Sequence, residues 1–320
     1  MNLPIAPQSL MFAPMEGITD EYYRKTILDL YPEWDTVSCD FLRVPSTNPY
    51  PKQHILKHYG QSTYSKLVDR NKTIYQILTS PNAFTIETVK TISQFEIKWL
   101  DLNLGCPSKT VCKNQGGSFL LSDLKILRSI IRDIRLHYPY FFSCKIRVGY
   151  RDDHNFIPIL KLLEEEGVDL IKIHARTRDE LYKGVANWDY VKQAVKAVKT
   201  PIIGNGDIWS VDDIERYFNY TECYGVMLAR PALKTPWLAE LYKKGEKDSQ
   251  ERRIYEIKRY FTNFYKEVLN QKKLVESSRI KRLKSVSRYI FDDLEGGDKI
   301  KRSFLLAKSF SEQSQILNDL

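Results

Sequence analysis

The stretch Asp101-Leu102-Asn103-Leu104-Gly105-Cys106-Pro107-Ser108-Lys109 sets a thiol where it can do chemistry. The apolar-alternating run from Trp99 to Leu104 reads as a short buried strand, and it stops at Gly105. Cys106 follows in a turn fixed by Pro107. A strand that ends in a turn bearing a reactive group is how an α/β barrel displays its chemistry, at the C-terminal face of its sheet. A lone cysteine more often packs as a small hydrophobe. Turn residues on both sides, and Gly116-Gly117 beyond, weigh against packing alone. A free thiol has a pKa of about 8.5, so Cys106 is mostly protonated near neutrality and suits a proton donor.

The other strand ends are equally unusual for structural turns. The first gives Ala13-Pro14-Met15-Glu16-Gly17, the third Gln76, and the fourth adds Asn103 to Cys106. In Cys144-Lys145-Ile146-Arg147-Val148, alternation sends Lys145 and Arg147 to the same side. A lysine inside a barrel strand must meet an anion or an electron-rich ligand, because burying it unpaired is costly. The sixth strand ends in His174-Ala175-Arg176, the seventh in Gly204-Asn205-Gly206-Asp207, and the eighth in Ala229-Arg230. A glycine turn and an arginine after the last two strands stand where barrels bind phosphate through backbone N–H groups. Each feature is weak alone, since His174 could be a core histidine and Asn205-Gly206 a plain turn. Together they describe a phosphate at strands seven and eight, a polar ring system held by Gln76 and Lys145, and a thiol above it. That composite is a flavin mononucleotide (FMN) site with a proton-donating cysteine. A Schiff-base lysine of the aldolase type competes for Lys145, and the nearby Cys106 and Gln76 favour the flavin.

These residues need a scaffold. Strands are predicted to start near Leu10, Val37, Ile74, Trp99, Phe142, Leu170, Pro201 and Gly225, with amphipathic stretches between them. Eight such units predict an α/β fold, a (β/α)8 TIM barrel, over residues 1–243. No GxGxxG or P-loop follows any strand, and the uneven spacing excludes a solenoid. Helices are expected over Asp20 to Leu30 and Ser122 to Leu136. Pro45, Pro49 and Pro51 predict an irregular excursion near the substrate. From Ile254 to Leu269 the apolar residues mark one face of a long helix, and further helices are expected over Arg279 to Ile290 and Lys299 to Phe310. Residues 250–320 therefore form a smaller all-α helical domain. From Lys243 onward there are 19 Lys and Arg against 12 Asp and Glu, so +7 of the chain's +9 lies there. A basic module on a near-neutral body predicts a polyanionic partner, nucleic acid before membrane. The five cysteines show no zinc spacing, so no metal is expected, and their scatter fits a reducing compartment. No signal-type leader or membrane-length apolar run appears, so a cytoplasmic protein is expected, and a monomer because no apolar stripe is left over.

Together, these motifs resemble those of the tRNA-dihydrouridine synthase family, from Ala13-Pro14-Met15-Glu16-Gly17 to Asn205-Gly206-Asp207-Ile208-Trp209 and on into the basic tail. Pro14 to Gly17, Phe41-Leu42-Arg43-Val44 and Gly206-Asp207-Ile208-Trp209 are similar to the bacterial C-type (DusC) subgroup. The resemblance implies an FMN-bearing barrel and a helical tRNA-recognition domain, an NAD(P)H-dependent oxidoreductase that reduces the C5–C6 bond of a D-loop uridine, at position 16 for the C-type. It implies Cys106 as general acid. Pro14, Met15, Glu16, Gln76, Lys145, His174, Asn205, Gly206, Asp207, Ala229 and Arg230 would contact FMN, with NADPH recharging it. Asn103 and Arg147 would face the uridine, and Arg279, Lys281 and Arg302 would meet tRNA. The chain departs from the family at Ala175 and Ala229, where glycine is usual, and at Asn114-Gln115-Gly116-Gly117-Ser118. A backbone N–H survives a glycine-to-alanine change, whereas a positive φ would be strained. Two other classes stay open at this point: a small-molecule flavin oxidoreductase, which does not need the basic tail, and an RNA-binding protein, which does not need Cys106 or Lys145.

Overall fold

The computed structural model describes residues 3–271 and 274–320. Nine parallel strands form one sheet: β1 (Ser9–Phe12), β2 (Thr36–Ser38), β3 (Leu42–Arg43), β4 (Thr73–Leu78), β5 (Trp99–Leu104), β6 (Phe141–Arg147), β7 (Leu170–His174), β8 (Ile202–Asn205) and β9 (Gly225–Leu228). Their order is β2-β1-β9-β8-β7-β6-β5-β4, and β2 pairs with β4 through Val37 and Thr73 to close the barrel. The two-residue β3 merely extends the edge of β4. All eight expected strands are present, each starting within one residue of its expected position. The fold is a (β/α)8 barrel with a helical C-terminal region.

Alternation along the strands separates two cores. Leu10, Phe12, Leu100, Leu102, Ile171 and Ile173 point outward and pack under the helices. Met11, Ile74, Trp99, Leu170, Ile203 and Met227 point inward and plug the lower barrel. Above that plug the inward positions turn polar: Gln76, Asp101, Asn103, Ser143 and Lys172 are all buried. The period of two thus carries the polar groups to the inside without exposing the outer apolar layer.

The expected helices form with caps that the sequence supplies. Asp20 accepts from the Tyr23 N–H at the start of Glu21–Leu30, and Asp123 caps Leu124–His137, whose Leu127, Ile130, Ile131 and Ile134 are buried. After Pro51, three short helices follow, Lys52–Tyr59, Gln61–Ser65 and Leu67–Lys72.

Beyond Gly245, which takes a left-handed φ of 65°, Ser249 caps the long helix Gln250–Asn270. That helix lies on Glu21–Leu30. Tyr23 meets the Phe264 ring edge-on at 5.6 Å, and Lys25 pairs with Glu267 at 2.6 Å. The helix expected over Arg279 to Ile290 instead spans Glu276–Val286. Ser285 and Ser287 turn their hydroxyls back onto the carbonyls of Arg282 and Lys284, a local bond that competes with helix continuation. The helix expected over Lys299 to Phe310 spans Gly297–Leu306, and a further helix, Phe310–Asn318, starts where Ser309 and Glu312 cap it. Among the described residues no helix is long and apolar enough to cross a membrane.

Candidate active site

The C-terminal ends of the strands surround a cavity of about 770 Å³. The loop after β1 gives Pro14, Met15 and Glu16 to its wall; β5 and β6 give Asn103, Cys106, Lys145 and Arg147. The last three strands add His174, Asn205, Gly206, Asp207, Ala229 and Arg230. Of the barrel residues singled out from the sequence, only Gln76 stands outside this lining. It is fully buried one layer below, its amide nitrogen donating to Asp101 Oδ2 at 2.6 Å and its oxygen accepting from Asn103 Nδ2 at 2.9 Å. The proline-rich excursion also misses the cavity; Phe41 alone reaches it from that segment.

Cys106 is held on both sides. Its N–H and that of Gly105 donate to Asn103 Oδ1 at 2.9 and 3.1 Å, and its carbonyl accepts from the Ser118 hydroxyl at 2.8 Å. Gly117 has φ +58°, and a Cβ there would come within 3.1 Å of Cys106 Cβ, so the glycine pair serves close approach to the thiol loop. Gln115, where the loop departs from the glycine-rich pattern, takes a left-handed φ of 57°. Burial pushes the Cys106 thiol above its ordinary pKa, with a smaller opposing pull from a Ser108 backbone bond. The thiol is therefore protonated at neutral pH.

Lys145 reaches the cavity with one recorded partner, Asn205 Oδ1 at 3.3 Å, and makes no ion pair among the described residues. Burial, aided by the nearby Arg147 charge, pulls its pKa down to about 8. His174 sits among Lys145, Arg147, Arg176 and Arg230. Burial first, and then these cations, hold it well below its usual pKa, hence neutral. Arg176 donates toward His174 Nε2 at 3.3 Å, which leaves the ring proton on Nδ1.

The turn after β8 is shaped by Gly206 at φ +129°, where a Cβ would lie 2.7 Å from Ala186 Cβ. Asp207 is fully engaged inside the protein: it accepts from Arg176 at 2.5 Å, Arg230 at 3.2 Å and the Ala186 N–H at 2.8 Å. Ala229 has φ −109°, and Ala175 is not among the positive-φ residues, so neither alanine is strained where glycine was expected.

Arg147 Nε and Nη1 donate to the carbonyls of Gly105, Thr177 and Leu181 at 2.8–2.9 Å, tying the thiol loop to the loop after β7. That loop carries Tyr182, a cavity residue that sequence reasoning missed. Its ring lies 5.5 Å from both the Arg147 and Arg230 guanidinium carbons. An aromatic residue two positions before Gly184, just past a strand-end His-Ala-Arg, was the available signal.

The tail enters the site in an unexpected way. Arg282 donates to the carbonyls of Gly17 and Ile18 at 2.8 and 3.1 Å and pairs with Asp20, while Ser285, Arg288 and Tyr289 line the cavity. Arg279, Lys281 and Arg302 lie away from the cavity; Lys281 and Arg302 are exposed, and Arg279 donates to the Gln271 carbonyl at 3.4 Å. All five cysteines are free, and no three His, Cys, Asp or Glu side chains among the described residues converge as a metal site.

A family model described as dihydrouridine synthase matches residues 11–319. The tRNA-dihydrouridine(16) synthase of Cupriavidus necator is 31% identical over 234 residues, which covers 72% of each chain. That of Shewanella oneidensis is 31% identical over 243 residues, covering 74% of this chain and 75% of its own. Among solved structures, the histamine dehydrogenase from Rhizobium sp. 4-9 superposes with a TM-score of 0.58 at 13% identity, covering 82% of this chain and 49% of its own. A 2-naphthoyl-CoA reductase gives 0.55 at 12% identity, covering 74% of this chain and 50% of its own. This chain spans about half of each of those two, and at such identity they share the barrel fold alone. With the family model spanning nearly the whole chain and the thiol loop, lysine and strand-end turns gathered around one cavity, the protein belongs to the dihydrouridine synthase family.

Proposed function

We propose that the protein reduces the C5–C6 bond of a uridine in the D-loop of tRNA, at position 16, using FMN that NADPH recharges. The position follows the relatives named above. The observation that carries the reading is a protonated thiol lining a cavity whose partly buried ammonium has no counter-ion among the described residues.

The cavity's donors suit FMN. Lys145 and Asn205 would hold the polar edge of its ring system. The His174 Nδ1–H, Arg230 and the backbone at Gly206 and Ala229 would take its phosphate, with Pro14, Met15, Glu16 and Asp207 completing the wall. An uncompensated ammonium favours the negative charge that builds on a reduced flavin, and charge stabilisation of this kind is worth most in a water-poor cavity. When bound, reduced FMN supplies the hydride that uracil C6 accepts.

The chain's own work is positioning and proton transfer. Cys106 gives its proton to C5, and burial keeps the thiol protonated until that moment. Arg147 lines the cavity beside Tyr182, so it can grip the uracil edge while Nε and Nη1 hold the two loops. Asn103 lines the same wall, and its oxygen fixes the thiol loop. A stacked base cannot reach the barrel mouth, so the uridine must be extruded. Residues 250–320, as a tRNA-recognition domain, would hold the folded RNA by its phosphates through Arg279, Lys281 and Arg302, which gives a steep salt dependence.

The test is mass spectrometry of unmodified tRNA incubated with the purified protein and NADPH, with the product mapped to position. One D-loop uridine should gain the mass of two hydrogen atoms, at position 16. A yellow, tRNA-binding protein that leaves every uridine unchanged would overturn the assigned reaction.

A further inference from the structure

Below the cavity floor, six side chains form one hydrogen-bonded chain that ends at the thiol loop. Lys172 Nζ donates to Asp101 Oδ1 at 2.6 Å and to Ser143 Oγ at 2.8 Å; Ser143 donates to the same Asp101 oxygen at 2.6 Å. Trp99 Nε1 donates to Ser143 from below at 2.8 Å. Asp101 Oδ2 then takes the Gln76 amide, Gln76 takes the Asn103 amide, and Asn103 takes the backbone N–H groups of Gly105 and Cys106. Lys172 and Asp101 are 0% and 1% exposed, so these orientations are set away from bulk solvent.

The order of donors and acceptors in this chain is forced. A carboxylate only accepts, so Gln76 must turn its nitrogen down to Asp101 and its oxygen up. Asn103 must then meet that oxygen with its nitrogen, which leaves its own oxygen for the two N–H groups. We propose that Asp101 and Lys172 are positioning residues that set the polarity of this amide relay and so fix the Cys106 loop, without touching any ligand. Its consequence for turnover rests on the acid role of Cys106, but the geometry can be read on the thiol itself.

The two singles are not equivalent under this scheme. In Asp101→Asn, the donor-only Lys172 keeps the new oxygen, so the new amide nitrogen faces Gln76. Gln76 and Asn103 must both flip, and the Asn103 nitrogen then confronts two N–H groups. The loop loses its Asn103 anchor and keeps only the bonds that Ser118 and Arg147 make to its carbonyls. In Lys172→Met the carboxyl at position 101 still accepts from Gln76, so the polarity survives although the ion pair is gone. In the double variant the amide introduced at position 101 can turn its oxygen to Gln76 and its nitrogen to Ser143, whose own proton can pass to the Leu100 carbonyl 3.4 Å away. The relay is restored.

The experiment is iodoacetamide alkylation of the purified full-length protein across pH 6 to 10, with peptide mapping and circular dichroism on each variant. The buried Cys39, Cys112, Cys144 and Cys223 serve as internal controls for global unfolding. Asp101→Asn should raise Cys106 alkylation about tenfold, the equivalent of one to two lost backbone hydrogen bonds. It should also move the pH profile down as the thiol leaves its desolvated seat. Lys172→Met should leave both near wild type, and the double variant should return to wild type. Equal effects in the two singles, or no effect in either, would overturn the relay in favour of a plain structural ion pair. Should Asp101→Asn not fold, Gln76→Leu cuts the relay without stranding a charge and must raise Cys106 alkylation, or the proposal fails. Normal relay behaviour in a protein that leaves tRNA unmodified would sink the proposed function and leave this inference standing.

Discussion

Replacing Lys145 by methionine should make the flavin-free protein more stable while disabling it. The ammonium is partly buried at the cavity wall, has no ion-pair partner among the described residues, and its pKa falls from 10.5 to about 8. At about 1.36 kcal/mol per unit, keeping the charged form in the folded state costs roughly 3 kcal/mol. The amine has some access to cavity water, so about 2 kcal/mol is the better expectation. The sign follows from proton counting. Below pH 8 both folded and unfolded states are protonated and the whole cost is present. Between pH 8 and 10.5 the unfolded chain binds the proton and the folded one does not, so stability rises with pH until the cost has gone. Urea unfolding of both flavin-free proteins at pH 7 and pH 10 gives the test, because the difference between them cancels the other titrating groups. Lys145→Met should lead by about 2 kcal/mol at pH 7 and by about a quarter of that at pH 10, the gap closing fully only above the unfolded pKa of 10.5. A variant that is less stable at pH 7, or a gap that does not close with pH, would refute the reading of Lys145 as an uncompensated charge awaiting an anionic ligand.

Cys106→Ala should keep flavin absorbance and tRNA affinity but lower turnover about 10²- to 10⁴-fold, the range for a lost general acid, in single-turnover assays. Arg282→Ala strips two carbonyls and Asp20 of their partner. It should cost about 2–3 kcal/mol in urea unfolding and loosen flavin retention, because the Gly17–Ile18 loop loses its clamp. Neutralising Arg279 and Lys281 together should weaken tRNA binding and flatten its salt slope by about one to two, with the flavin spectrum unchanged. Unchanged filter-binding curves would remove these residues from the RNA surface.

The barrel was legible because its strands are short, apolar and separated by amphipathic stretches, and because period-two alternation leaves no choice of face at Lys145 and Arg147. Most of the cavity wall followed, since turn chemistry at strand ends is local. What escaped was non-local. The bond from Gln76 to Asp101 is invisible until the two neighbouring strands are paired. Lys172 lies in an apolar run, Leu170-Ile171-Lys172-Ile173, and nothing in that run reveals a carboxylate on β5. Arg282 looked like one more charge in a basic seam, yet it is half-hidden against the loop after β1. The start of the final helix was readable, in contrast: Ser309 and Glu312 spell a capping pair.

Arg282 also changes how the helical region should be viewed. A tail that only held RNA could be tethered anywhere on the barrel. Here the helix Glu276–Val286 grips the carbonyls of Gly17 and Ile18, next to Pro14 to Glu16 in the cavity wall, and carries Ser285 into the same cavity. The long helix before it is locked to Glu21–Leu30, the element that this loop leads into, through Tyr23, Phe264 and the Lys25–Glu267 pair. The tail therefore holds the C-terminal half of the loop after β1 directly and, through the long helix, the element that follows it. If RNA seats on the tail and the cofactor on this loop, as proposed, both bear on the same charge-assisted bonds between tail and barrel. That coupling requires the tail to be present for full cofactor retention even in the absence of RNA, which a freely tethered RNA-binding module would not require.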